Sequence, residues 1–154
     1  MALLEVEGVQ KRFGGVHAVR GVDLTVEKGA LLGLFGPNGA GKTTLFNLIA
    51  GTAAPDAGRV RLNGADITTY PAFRRAQLGI ARTFQVVRPF RSLTVLDNVL
   101  ASVPSAAAAH HNSADDAMAI LASVGLDQRA SDLAGQLTLG MLKRLEVARA
   151  LALK

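Results

Sequence analysis

Gly36-Pro37-Asn38-Gly39-Ala40-Gly41-Lys42-Thr43 fits the pattern G-x-x-x-x-G-K-[ST] at every fixed position. Before it stands the wholly apolar run Ala30-Leu31-Leu32-Gly33-Leu34-Phe35, which reads as a strand covered on both faces of a parallel or mixed sheet. After it, residues 42–50 place Leu45, Leu48 and Ile49 at i, i+3 and i+4, and Gly51 is set to end the helix in the left-handed region. Strand, glycine-rich turn and helix form the context in which this pattern cradles phosphate. Glycines let successive backbone N–H groups turn inward, the helix N-terminus adds partial positive charge, Lys42 neutralises β and γ oxygens, and Thr43 can hold Mg²⁺. Gly36 to Thr43, with Thr44 beside them, are the expected phosphate-binding residues. The plain alternative is a flexible glycine turn ahead of a helix, and the four fixed residues in the right context weigh against it.

Away from this loop the pattern is that of an α/β domain. Val22, Leu24 and Val26 alternate with Asp23, Thr25 and Glu27 as in a half-buried strand, and Lys28-Gly29 supplies a turn. Pro55-Asp56-Ala57-Gly58 is a turn before an alternating strand over 59–63. A short helix is expected over 71–78, stopped by Gly79, and a strand over 80–84. From Thr94 the reading is helical: Thr94 with Asp97 has a capping-box shape, and Ser113 precedes Asp115 and Asp116 in a first turn closed later by Gly125. Residues 102–112 are small and Ala-rich, a helix end running into a flexible loop. The last helix starts near Leu139 and puts Leu142, Leu145, Ala148 and Ala152 on one face.

Composition narrows the function classes. The chain has 154 residues, 49% hydrophobic and 19% charged, enough for one globular domain. It has no cysteine, so disulfides and thiolate metal sites are excluded, and His17, His110 and His111 lack zinc-helix spacing. No apolar run approaches the ~18 residues of a membrane span, and no basic leader opens the chain. The chain therefore reads as cytosolic. Net charge is +5, but residues 59–91 hold seven Arg and one acid, leaving −1 elsewhere. A basic patch invites a nucleic-acid reading. The arginines are spread over several elements, no RNA-binding signature accompanies them, and a solvated or partner-facing rim is the preferred reading.

The residues 36–45 resemble the phosphate loop of ABC-transporter ATPases, and further positions agree with that family in order and spacing. Phe13, 23 residues before Gly36, stands where the family carries an aromatic that stacks on adenine; taken alone it reads rather as a packing residue. Gln85 matches the glutamine that touches Mg²⁺ and the attacking water and senses the membrane partner. Leu137-Thr138-Leu139-Gly140-Met141 stands at the LSGGQ signature, whose helix N-terminus points at the γ-phosphate held by a second subunit. Thr138 keeps the hydroxyl and Gly140 the close approach, while Leu139 and Met141 depart from the pattern. The stretches 13–19, 45–51 and 79–85 look most like the ATPase subunits of branched-chain amino-acid uptake systems.

The resemblance implies an α/β phosphate-loop fold with a mixed sheet: a sheet and loop core over 1–87, a helical subdomain over 88–135 and a signature helix over 136–154. It also implies ATP and Mg²⁺ as ligands, membrane-spanning permease subunits and a second ATPase subunit as partners, no nucleic acid, and a place at the inner face of the cell membrane. The family's Walker B strand, catalytic Glu and switch His are expected after Lys154. The near-match Leu93-Thr94-Val95-Leu96-Asp97 is followed by Asn98, where a Glu is needed. Two readings thus stand together, an importer ATPase and a nucleotide-binding module without turnover, with a basic nucleic-acid-binding protein behind them.

Overall fold

A computed structural model describes residues 2–84, 86–103 and 113–153, apart from the side chain of Ser113. The chain divides into two compact units, Met1–Leu78 and Gly79–Lys154.

The first unit is a twisted antiparallel sheet with the phosphate-loop helix. Strands β1 (Ala2–Phe13) and β2 (Val16–Glu27) form a long hairpin, and β3 (Ala57–Leu62) and β4 (Ala65–Asp66) extend it in the order β2-β1-β3-β4. β1 pairs Val6 with Leu24 on one side and with Val60 on the other. Val6, Val9, Val19 and Val60 are buried, and Leu45 and Leu48 of α1 (Lys42–Ala50) belong to the same buried set of the unit. The alternation in 22–27 is realised, with Val22, Leu24 and Val26 half-buried and their neighbours exposed. Asp56 fixes the turn into β3: its carboxylate accepts from Lys11 Nζ at 2.7 Å and from the Arg12 N–H at 2.7 Å. The Lys11 hydrogen bond first, then that of Arg12, holds the Asp56 carboxyl below its ordinary value. Helix α2 (Ala72–Gln77) starts behind Pro71, within a residue of expectation at each end.

Two expected strands are not strands. Residues 30–35 have no regular structure, and Leu31 and Phe35 lie open, Phe35 at 92% exposure. Residues 80–84 are likewise irregular. The first run is wholly apolar and the second carries Arg82 and Thr83 among apolar residues, but no described strand pairs with either, and without ladder partners a strand leaves its backbone groups unsatisfied. The α/β class holds; the described sheet is its antiparallel part.

The second unit is helical. Helices α3 (Val95–Leu100), α4 (Ser113–Ser123) and α5 (Leu139–Leu151) pack around Val95, Val99, Leu121, Leu126, Leu142 and Leu145. Thr94 caps α3 as expected, its Oγ1 accepting from the Asp97 N–H at 3.0 Å. The predicted apolar face of α5 is buried at Leu142, Leu145, Ala148 and Ala152, while Lys143 and Arg144 are exposed. Most of the loop expected over 102–112 lies outside the described residues, as do His110 and His111.

Candidate nucleotide-binding site

Residues 36–41 turn directly into α1. Gly41 is the residue before the helix, at φ 86°, and offers no side chain to cap it. The first helical bond runs from the Leu45 N–H to the Gly41 carbonyl at 2.8 Å, so the amides of Lys42, Thr43 and Thr44 have no acceptor within the helix. No acid sits in this first turn. An uncapped helix start with no carboxylate in its first turn favours an anion.

Gly41 is required twice over. Besides its left-handed backbone, a Cβ there would fall 2.1 Å from the Ala18 carbonyl oxygen of β2. The loop is thereby pinned against the hairpin. Lys42 Nζ donates to the carbonyls of Gly36 and Pro37, each at 2.6 Å, which keeps the ammonium within the turn. Thr43 is exposed beside it and Thr44 half-buried.

A cleft of about 450 Å³ opens between the loop and β2. Gly39, Ala40, Gly41 and Lys42 line one side, and His17 and Arg20 belong to the other. No Asp or Glu lines it among the described residues. Such a wall suits a polyanion, since field lines from like charges converge in a recess. The volume is within the range of small-molecule sites, ~300 to 1,000 Å³.

The remaining expected residues are placed as follows. Phe13 ends β1, pairs across the hairpin with Val16 and is 53% exposed; it does not line the cleft, although the opposite strand of its own hairpin does. Gln85 lies outside the described residues. Thr138 is the cap of α5, its Oγ1 accepting from the Met141 N–H at 3.4 Å. Leu139 is exposed and Met141 half-buried, and a Cβ added to Gly140 would meet no atom within 4 Å. The signature residues belong to the second unit, whereas the phosphate loop and Phe13 belong to the first. Asp97 sits in the first turn of α3, hydrogen-bonded to the Thr94 hydroxyl at 2.6 Å, a helix-capping role.

Sequence reasoning passed over three groups here. His17 and Arg20 were hidden in a strand, and the only signal was that β2 had to run beside the loop. Arg75, read as part of a basic stretch, is 1% exposed and packs on α1. Its Nη1 donates to the Leu48 and Ile49 carbonyls at 2.6 and 2.8 Å, Nη2 to Thr68 at 2.7 Å and Nε to Tyr70 at 2.9 Å. Burial pushes its pKa down, and the Asp66 charge partly opposes that.

Comparison with known proteins follows the same residues. The sequence profile of the ABC transporter family matches residues 19–154. The chain is 38% identical to the high-affinity branched-chain amino acid transport ATP-binding protein BraF of Pseudomonas aeruginosa, over 96% of this chain and 64% of that protein. It is 37% identical to LivG of Escherichia coli K12, the high-affinity branched-chain amino acid transport ATP-binding protein, with the same two coverages of 96% and 64%. A nucleotide-free ATP-binding cassette from an ABC transporter superposes with a TM-score of 0.84 at 34% identity, over 99% of this chain and 66% of that one. The chain thus spans a little under two thirds of the length of these relatives. From the phosphate loop, the fold around it and these likenesses together, the chain belongs to the ABC transporter family and has the α/β fold of its ATP-binding cassettes.

Proposed function

We propose that this chain is the nucleotide-binding part of an ATP-binding subunit of an ABC importer for branched-chain or related amino acids. The observation that carries the reading is the uncapped N-terminus of α1, pinned by Gly41 against β2 and bordered by Lys42, Arg20 and His17, with no carboxylate among the described residues that line the cleft. Amides of residues 42–44 bind the phosphate oxygens, and Lys42 exchanges its loop carbonyls for the β and γ oxygens. The Thr43 hydroxyl, with Gln85, is the ligand this chain offers to Mg²⁺, which screens the charge of the phosphates when bound. Phe13 stacks on the base. Thr138, Leu139, Gly140 and Met141 face a nucleotide held by a second ATPase subunit, and the open space at Gly140 supports close approach by another molecule. Permease subunits hold the protein at the inner face of the membrane; among the described residues no helix is long and apolar enough to cross it.

A second reading, binding without turnover by this chain alone, is favoured by a cleft that no Asp or Glu lines among the described residues. The reading includes no nucleic-acid partner, in keeping with the internal place of Arg75 and the pairing of Arg61 with Glu7 at 3.1 Å. Isothermal titration tests the proposal. Mg-ATP should bind the wild type, and Lys42→Ala should bind at least ~tenfold more weakly, in line with the loss of a charge-assisted contact. Equal affinity for both proteins, each shown to be folded, would remove the phosphate loop from the reading.

A further inference from the structure

Nothing in the phosphate chemistry explains why a guanidinium is buried at the far end of α1. Arg75 is the largest of the fully buried side chains, and its hydrogen-bonding partners are all carbonyl oxygens. Two of them, Leu48 and Ile49, belong to the last turn of α1, where no further turn supplies N–H donors, although the Leu48 carbonyl also accepts from the Gly51 N–H at 3.4 Å. A cation is favourable at that end of the helix dipole. The socket is built to fit: a Cβ on Gly51 would come within 2.8 Å of Arg75 Nε and 3.0 Å of the Tyr70 carbonyl, so Gly51 ends the helix and makes room for the guanidinium at once.

We propose that Arg75 is a positioning residue for the phosphate loop: its guanidinium, seated on the last carbonyls of α1, holds the helix whose first turn carries Lys42 and Thr43. The inference rests on the reading of residues 36–44 as the phosphate site. Helix α1 has only nine residues, too few to be stable alone. The segment before it, residues 30–37, has no strand pairing to anchor it. Besides the buried Leu45 and Leu48, which seat its apolar face, α1 is tied at two points, Gly41 against Ala18 at the start and Arg75 at the end. A helix of this length spans about 13 Å, and as a rigid rod it carries a tilt at one end to the other. Releasing Arg75 swings the first turn relative to β2 and the rest of the cleft wall.

The test compares wild type, Arg75→Lys, Arg75→Met and, as a control on the exposed face of the same helix, Phe73→Ala, all in the 154-residue chain. Lysine keeps the charge but cannot span four carbonyls with a planar fork. At a temperature where circular dichroism shows each protein folded, Mg-ATP affinity should fall ~tenfold in Arg75→Lys and further in Arg75→Met, with Phe73→Ala unchanged. Hydrogen exchange should speed up at the amides of residues 41–45 in both Arg75 variants, while β1 and β2 exchange as in the wild type. Unchanged affinity with faster exchange confined to residues 48–51 would overturn the proposal, leaving a local cap. Faster exchange throughout β1 and β2 would also overturn it, as a general loss of stability. If the wild type itself fails to bind Mg-ATP, the phosphate reading fails and exchange at 41–45 alone decides the clamp. If Arg75→Met does not fold, Arg75→Lys decides it.

Discussion

At the scale of single residues, the site depends on positions where only one side chain fits. Gly41→Ala places a methyl 2.1 Å from the Ala18 carbonyl oxygen on a left-handed backbone at φ +86°. Strain and overlap together should cost about 2 to 4 kcal/mol in chemical denaturation and weaken Mg-ATP binding, because the loop must leave β2 to relieve the clash. A fully stable variant with unchanged affinity would show that the pin is not needed. Asp56 and Asp66 are the carboxyls of the sheet unit whose pKa values are held below the ordinary value. The Lys11 and Arg12 bonds lower the first, and the side-chain and backbone bonds of Thr68 lower the second, both from an ordinary value of 3.8. Because the folded values lie lower, their contribution is present above pH 3.8 and disappears as pH falls through the depressed values. Stability should therefore fall on acidification below about pH 4, and Asp56→Asn should lower stability near neutrality and flatten that limb, the two proteins converging at low pH. An identical acid profile in Asp56→Asn would assign the limb elsewhere. The residue-level chemistry of 36–44 was legible because each fixed residue type has one physical use. Arg75 was not: a cation is expected at the surface, and only the carbonyls collected around it in three dimensions satisfy it inside.

Elements were legible where local chemistry alone decides them. Gly51 ends α1 at Ala50, Thr94 starts α3, and the four-residue face of α5 is buried as its spacing demands. Each of these signals acts within one turn of the chain. The runs at 30–35 and 80–84 failed for the opposite reason: apolar residues in an extended stretch call for cover, but strand formation needs a neighbour whose identity no local pattern encodes. Buried Asn98 is a similar case. It stands where a catalytic acid would be sought, yet its side chain accepts from the Phe90 N–H at 2.8 Å and donates to the Phe90 and Thr94 carbonyls at 3.0 and 2.9 Å, tying the turn before α3. Arg144 repeats the Arg75 device more weakly, donating to the Val124 and Gly125 carbonyls at the end of α4, each at 3.2 Å. For the caps, Thr94→Ala should lower stability by about 1 kcal/mol, read from the denaturation midpoint at constant slope. A change smaller than a few tenths would mean that water replaces the hydroxyl without loss.

For the molecule as a whole, the apolar run 30–35 and the bare cleft set the limits. Leu31 is fully exposed and Phe35 nearly so, an arrangement that promotes association. The isolated 154-residue chain should self-associate with concentration, and Leu31→Lys should shift sedimentation toward the monomer; a monodisperse wild type would show that the run is harmless. Among the described residues the cleft offers Lys42, Arg20, loop amides and apolar side chains but no carboxylate to position water, so the 154-residue chain should hold Mg-ATP with turnover ~10² to 10⁴-fold below that of a site with such a group. Steady hydrolysis abolished by Lys42→Ala would contradict this. The central claim is that Mg-ATP sits between the phosphate loop and β2, and mapping the backbone amides by heteronuclear NMR during titration addresses it most directly. Saturable shifts concentrated at residues 39–44 and 17–20 are the predicted result, whereas shifts centred elsewhere, or none at millimolar Mg-ATP with a folded spectrum, would contradict it.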